Sequence, residues 1–253
     1  MRRHLLLLYG LIGYLVGLGT LVYMLLWLYP WPWMPATIDS AAAGDSPLLA
    51  AAIDLGLILL FGLQHSLMVR PRFKAWFDRH VPYGAQRATY TLVSSLFLAA
   101  ILLFWQPLPG TLWSFDEGTF AWWVATILYF TGWGVAVIAT FQIDHFGLLG
   151  LTQAWRGWRG LGEPEPSFQE RGLYHWVRHP IQAGTMLGLW ATPVMSAGHW
   201  LFTLGFTLYI LVGLHYEERD LLRSLGDAYA DYRRRVPMLL PFLKPKSPSK
   251  EPE

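Results

Sequence analysis

The stretch Gly172-Leu-Tyr-His-Trp-Val-Arg178-His179-Pro180 opens an apolar run that ends at His215-Tyr-Glu217-Glu218-Arg219-Asp220. From Ile181 to Tyr216 there is no Asp, Glu, Lys or Arg. A basic, aromatic corner and a pair of carboxylates thus sit at the two ends of one hydrophobic segment. Pro193 and Ser196-Ala197-Gly198 mark a turn inside it, leaving two arms of about 15 residues. Folded as a helical hairpin, the segment brings both polar clusters to the same face of a membrane. Charged groups beside a bilayer core are costly, so clustering them there points to function.

Outward from this segment the apolar pattern repeats. Uncharged runs cover Leu5 to Ile38, Ser46 to Ile53, Leu55 to Val69, Ala88 to Phe115 and Gly118 to Ile143. A spanning helix needs about 20 apolar residues. Spans are expected near 5–28, 48–69, 88–106 and 120–143, with the 181–216 hairpin after them. The fold class is therefore all-α, a polytopic membrane helical bundle with about five to six membrane segments, the last two forming the hairpin. The short arms leave open whether that hairpin crosses fully or is re-entrant.

Charge placement supports this topology. With six segments, all 19 Lys and Arg fall on one side: at Arg2 and Arg3, from Arg70 to Arg87, from Arg156 to Arg178, and after Arg219. The opposite loops carry Asp39, Asp45, Asp116 and Glu117. The positive-inside rule puts both termini in the cytoplasm and, for a bacterial chain, the protein in the inner membrane. Arg2-Arg3 before an apolar run has the look of a secretory signal. The run to Leu28 is too long for one, and it continues into the Tyr29-Pro-Trp-Pro-Trp33 aromatic belt. Gly10, Gly13 and Gly17 recur at the spacing of a helix-packing face.

The chain has no cysteine, which removes disulfides, thiolate nucleophiles, iron–sulfur clusters and cysteine zinc sites. It has no Walker loop and no dinucleotide-binding glycine motif. A net charge of +2, with the basic residues placed by topology, gives no reason to expect a nucleic-acid partner. The expected organisation is a single domain over 1–253 with a polar tail, disordered from about 244 to 253.

Chemistry must come from polar groups in or beside the membrane. The second span carries Gln64-His65-Ser66, with Asp54 on nearly the same helix face but about 16 Å away along the axis. The fourth span ends at Gln142-Ile-Asp144-His145, where an Asp beside a His suits orienting or receiving a proton. The competing reading is a solvated interfacial pair and, for His65, an interhelical hydrogen bond. In the carboxy-terminal block, Arg178 suits a ligand carboxylate, and Glu217 or Glu218 an ammonium or ribose hydroxyls. The competing reading is that these carboxylates pair with Arg178, Arg219 or Arg223.

The residues Gly172, Tyr174, Arg178, His179, Pro180 and Gly184, followed by Glu217, Glu218, Leu221, Gly226, Tyr229, Tyr232, Val236 and Pro237, form a pattern that resembles the integral-membrane methyltransferases related to isoprenylcysteine carboxyl methyltransferase and phospholipid methyltransferases. Three further stretches, Phe61 to Arg70, Ile143 to Leu151 and Trp190 to Met195, resemble the bacterial methanethiol S-methyltransferases, and this match runs over most of the chain.

The resemblance implies methyl transfer from S-adenosyl-L-methionine to a small thiol, giving dimethyl sulfide from methanethiol at the cytoplasmic end of the bundle. It implies cofactor binding by Tyr174, Arg178, His179, Pro180, Gln182, Gly184, Glu217 and Glu218. Relatives often carry Tyr at the position of Gln182, so that residue departs from the pattern. For the acid–base step the expected base is His145, oriented by Asp144, ahead of His65, with Arg178 beside the reacting groups. Alternatives are a lipid or prenylated acceptor, an NADPH-dependent membrane reductase with a similar Arg-His-Pro segment, and a haem-binding subunit using His65 and His145 as axial ligands.

Overall fold

The structure is a computed structural model that describes residues 2–40, 44, 46–164 and 170–243; the expected tail at 244–253 lies outside them. Proline and hydroxyl caps start several helices. Pro47, Pro71 and Pro180 occupy first turns, where a missing N–H is harmless, and Ser46, Thr119 and Ser196 cap backbone amides with their side chains. In chain order the elements are α1 Arg2–Leu28, α2 Pro47–Met68, α3 Pro71–His80, α4 Tyr83–Phe104, β1 Thr111–Ser114, α5 Phe120–Ile143, α6 His145–Leu148, α7 Leu151–Arg159, a 3-10 turn Gly172–His175, α8 Pro180–Trp190, β2 Val194–Ser196, α9 Ala197–Leu225 and α10 Asp227–Arg235.

Among the described residues, five helices, α1, α2, α4, α5 and α9, are long and apolar enough to cross a membrane. The burial pattern agrees. Leu59, Leu63, Leu96, Leu103, Ile127 and Leu208 are all more than half exposed along these helices, which only a lipid phase would cover. Inside, Trp27, Tyr129, Phe202, Leu189 and Ile101 are fully buried and Trp105 nearly so; Trp27 and Trp105 both pack edge-on to Phe202.

Small residues set the closest helix contacts. The Gly10, Gly13 and Gly17 face packs as expected, against Ala154 of α7 and Ala88 and Thr91 of α4. A second contact joins α5 to α8: a Cβ on Gly184 would lie 2.5 Å from the Gly132 carbonyl oxygen, and one on Gly188 would lie 2.7 Å from Trp133 Nε1.

The hairpin forms, but its arms are unequal. Its first helix, α8, has 11 residues, whereas α9 has 29 and carries Glu217 and Glu218 within it rather than beyond its end. At 1.5 Å per residue α8 covers about half a bilayer. The remainder is extended chain, ending in β2, which pairs antiparallel with β1 at the end of the bundle opposite Pro180. Trp113 Nε1 donates to the Thr192 carbonyl at 3.0 Å and Phe115 N–H to that of Pro193. Non-helical backbone at this depth is acceptable because protein groups hold its polar atoms. α9 runs parallel to α2: Gly205 lies on Ile58, Tyr209 on Gly62, and Arg70 over the Tyr216 ring at 4.4 Å.

Candidate active site

The two ends of the hairpin meet, and Glu218 is the hub. Its Oε1 accepts from Arg178 Nε at 2.6 Å, His179 Nε2 at 3.0 Å and the Tyr229 hydroxyl at 3.1 Å. Its Oε2 accepts from Arg178 Nη2 at 3.1 Å and pairs with Arg233 Nε at 3.2 Å. Arg178 Nη1 donates to the carbonyls of Val236, at 2.5 Å, and Arg233. The amides of Arg178 and His179 bond Pro237 and Met238. This network clamps α8, α9, α10 and the segment 236–238 together. Every nitrogen of the Arg178 head is already engaged, so Arg178 and Glu218 brace the site rather than offering free groups to a ligand.

Glu217 differs. It is exposed and forms no hydrogen bond or ion pair within the described residues, yet it lies close enough to His179, Tyr174 and Tyr229 for their charges to interact. It is the carboxylate of the pair that the clamp does not use. Tyr174 is buried; its carbonyl accepts from the Tyr232 hydroxyl at 2.6 Å, and burial pushes its phenol upward from the ordinary value, as it does for Tyr229 and Tyr232. Gln142 at the end of α5 ties in the turn by accepting the Leu173 N–H at 2.8 Å. Pro180 is buried at the start of α8, Gln182 is half-buried, and Gly184 faces α5 as a packing contact.

Beside the clamp lies a cavity of about 870 Å³. Ala183, Met186, Leu187 and Trp190 form its α8 wall, Met238 to Leu240 face them, and Arg178, Arg233 and Arg234 line it as cations. Sequence reasoning missed these apolar wall residues. Their signal was an i, i+3, i+4, i+7 stripe on α8 distinct from the glycine face.

His65 and His145 share no hydrogen bond or ring contact with the clamp residues among those described. His145 Nδ1 is 2.8 Å from Thr140 Oγ1, its Nε2 is 3.1 Å from the Tyr14 hydroxyl, and its ring stacks on Phe141 at 4.0 Å. Asp144 does not orient it. That carboxylate caps α6 through the Gly147 N–H at 2.8 Å and accepts from Thr152, because an Asp at the junction of two helices finds free amides nearer than its neighbour's ring. His65 sits among Phe61, Tyr90 and Tyr209, with Nδ1 3.1 Å from Ser94 Oγ. His65 and His145 belong to separate ring clusters. Asp54 is fully buried, with one oxygen accepting the Gln106 N–H at 2.9 Å.

Five lipid-exposed helices and a buried polar clamp at one end of the bundle define an integral membrane protein of the polytopic helical class, with a ligand-sized cavity beside that clamp. The profile of the NnrU protein family matches residues 55–239, and the chain belongs to that family. Among its relatives is a methanethiol S-methyltransferase of Mycobacterium tuberculosis, 43% identical over 246 residues, 96% of this chain and 98% of the relative. Methanethiol S-methyltransferase 2 of Bradyrhizobium diazoefficiens is also 43% identical, over 95% of this chain and 92% of its own length. Nurim of Sus scrofa is 32% identical over 75% of this chain and 72% of its own. No solved structure matches.

Proposed function

We propose that this protein is a thiol S-methyltransferase that methylates methanethiol to dimethyl sulfide with S-adenosyl-L-methionine as donor. The observation that carries this reading is the similarity over most of both chains, at 43% identity, to proteins named methanethiol S-methyltransferase. The chain's own chemistry suits it. A sulfonium donor with an amino-acid head and a nucleoside needs an apolar wall, cations and a carboxylate. The 870 Å³ cavity supplies the first two; Glu217 is not one of its lining residues but lies close enough to His179, at the adjoining clamp, to be the candidate for the third. Arg233, Arg234, Met186, Trp190 and Glu217 would hold the donor, and Arg178 with Glu218 would keep that frame rigid.

When bound, the donor supplies an electrophilic methyl group on a cationic sulfur. The protein's part is to align the acceptor sulfur, worth about 7–11 kcal/mol in favourable cases, and to take the thiol proton. His145 is the base we assign, with His65 the second choice. A thiolate and a sulfonium lose their charges as they react, so the apolar surroundings favour the step. The basic clusters between the spans gather at one end of the bundle, which by the positive-inside rule supports a cytoplasmic side there and a bacterial inner-membrane protein.

The test is methyl transfer from labelled S-adenosyl-L-methionine to methanethiol by detergent-purified protein, with headspace detection of dimethyl sulfide. Product well above a boiled control is expected. Donor binding without product would move the acceptor to a lipid or prenylated thiol, and absence of both would overturn the reading.

A further inference from the structure

The hydrogen bonds around His145 assign its tautomer. Thr140 Oγ1 lies 2.7 Å from the Val137 carbonyl, which can only accept, so the threonine proton is committed there. The same oxygen, 2.8 Å from His145 Nδ1, must therefore accept from that nitrogen. Nδ1 carries the proton, and Nε2 holds the lone pair. The Tyr14 hydroxyl, 3.1 Å away, donates to it. A half-buried ring pinned at both nitrogens, stacked flat on Phe141 at 10° and edge-on to Tyr14, cannot turn to exchange these roles. The titratable groups facing it are Tyr14, from α1, and the adjacent Asp144, whose carboxylate is held by Gly147 and Thr152. Phe146 closes the remaining side.

We propose that Tyr14, His145 and Thr140 form a proton relay that ionises the thiol substrate, with Tyr14 touching the substrate and Thr140 as a positioning residue. This rests on the methyltransferase reading. The thiol S–H bond breaks as its proton passes to the Tyr14 oxygen, while the Tyr14 proton passes to His145 Nε2. The products are a thiolate, a neutral tyrosine and an imidazolium that returns its proton to water after methyl transfer. Exposed Phe141 and Phe146 flank the relay, so a small, lipid-soluble thiol reaches it from the bilayer side. Tyr14 also lies outside the matched span 55–239, so the relay draws its outer member from a part of the chain the family profile does not include.

Two measurements test it. Nitrogen-15 NMR of histidine-labelled protein in detergent, with the signal assigned by its loss in His145→Gln, should show Nδ1–H and an unprotonated Nε2. Thr140→Val should disturb that pattern and Thr140→Ser restore it; an Nε2–H ring in the wild type, or no change in Thr140→Val, overturns the assignment. For turnover, Tyr14→Phe should fall about a hundredfold at neutral pH with unchanged donor binding. The loss should shrink as alkaline pH ionises the thiol in solution, a recovery that a packing defect would not show. Wild-type turnover with an unaffected Tyr14→Phe rate overturns the relay alone. A wild type that makes no dimethyl sulfide overturns the methyltransferase reading, and the relay's role with it, while the NMR result still decides the tautomer.

Discussion

Arg178 and Glu218, forty residues apart, form a two-point ion pair buried between α8 and α9, with Nε to Oε1 at 2.6 Å and Nη2 to Oε2 at 3.1 Å. The neighbouring Glu217 takes no part in it. Two adjacent carboxylates on one helix thus differ, because 100° of helical rotation brings Glu218 into the hydrogen bonds of the clamp and leaves Glu217 beside them.

Removing one partner of a buried pair leaves the other charge stranded, at a cost of about 3–5 kcal/mol. Glu218→Gln is expected to lower the thermal unfolding temperature sharply and to loosen α10, read by detergent thermal denaturation and protease sensitivity. Wild-type stability would show that the clamp contributes nothing.

Glu217→Gln should behave oppositely. It should leave the unfolding temperature near the wild type and weaken donor affinity, measured by calorimetry. Unchanged affinity would remove Glu217 from the binding site.

Gly184→Ala places a methyl group 2.5 Å from the Gly132 carbonyl oxygen and 2.6 Å from the Ala136 nitrogen. Both are backbone atoms and cannot swing aside, so α8 must shift away from α5. Overpacking of this kind costs about 1–3 kcal/mol, and the displacement should lower turnover as well as stability. A variant of normal stability would place the close approach elsewhere.

Asp144→Asn and His145→Ala should separate capping from catalysis. The first retains most of the cap and should alter turnover little, while Asp144→Ala costs about 1 kcal/mol of stability. His145→Ala should lower turnover far more than donor binding. Equal wild-type turnover would remove His145 from the chemistry.

Glu170 ties the turn before α8 to α10 through Arg235, at 3.0 and 3.2 Å, and to His175. The Arg235 hydrogen bonds, with help from His175, hold its carboxyl below the ordinary value of 4.5. A depressed acid stabilises the fold above that ordinary value and loses its contribution as pH falls through the folded value. The Glu170 clasp should therefore hold at neutral pH and open on acidification below about 4.5. Fluorescence of nearby Trp176 should report the transition, and Glu170→Gln should abolish it.

The membrane spans were legible because they depend on composition along a short window. Leu5 to Leu28 or Gly118 to Ile143 has no stable home except lipid, whatever the rest of the chain does. The turn at Pro193 to Gly198 was legible for the same local reason, and Ser196 caps α9 there. The unequal hairpin was not. Pro193 keeps α8 from continuing, but the path of the extended residues that follow is set by β1, more than 75 residues earlier in the chain.

The sequence alone determined a charge-segregated helical membrane protein with an Arg-His-Pro corner and an acidic pair at the two ends of one apolar segment. Packing decided which of these groups remain available. Arg178 and Glu218 neutralise each other, Asp144 turns to its own helix cap, and His145 is held by Thr140 and by Tyr14, 131 residues away. Hydrophobic patterning is a property of neighbours along the chain, whereas a hydrogen-bond partner belongs to whichever donor or acceptor the packed helices bring within about 3 Å.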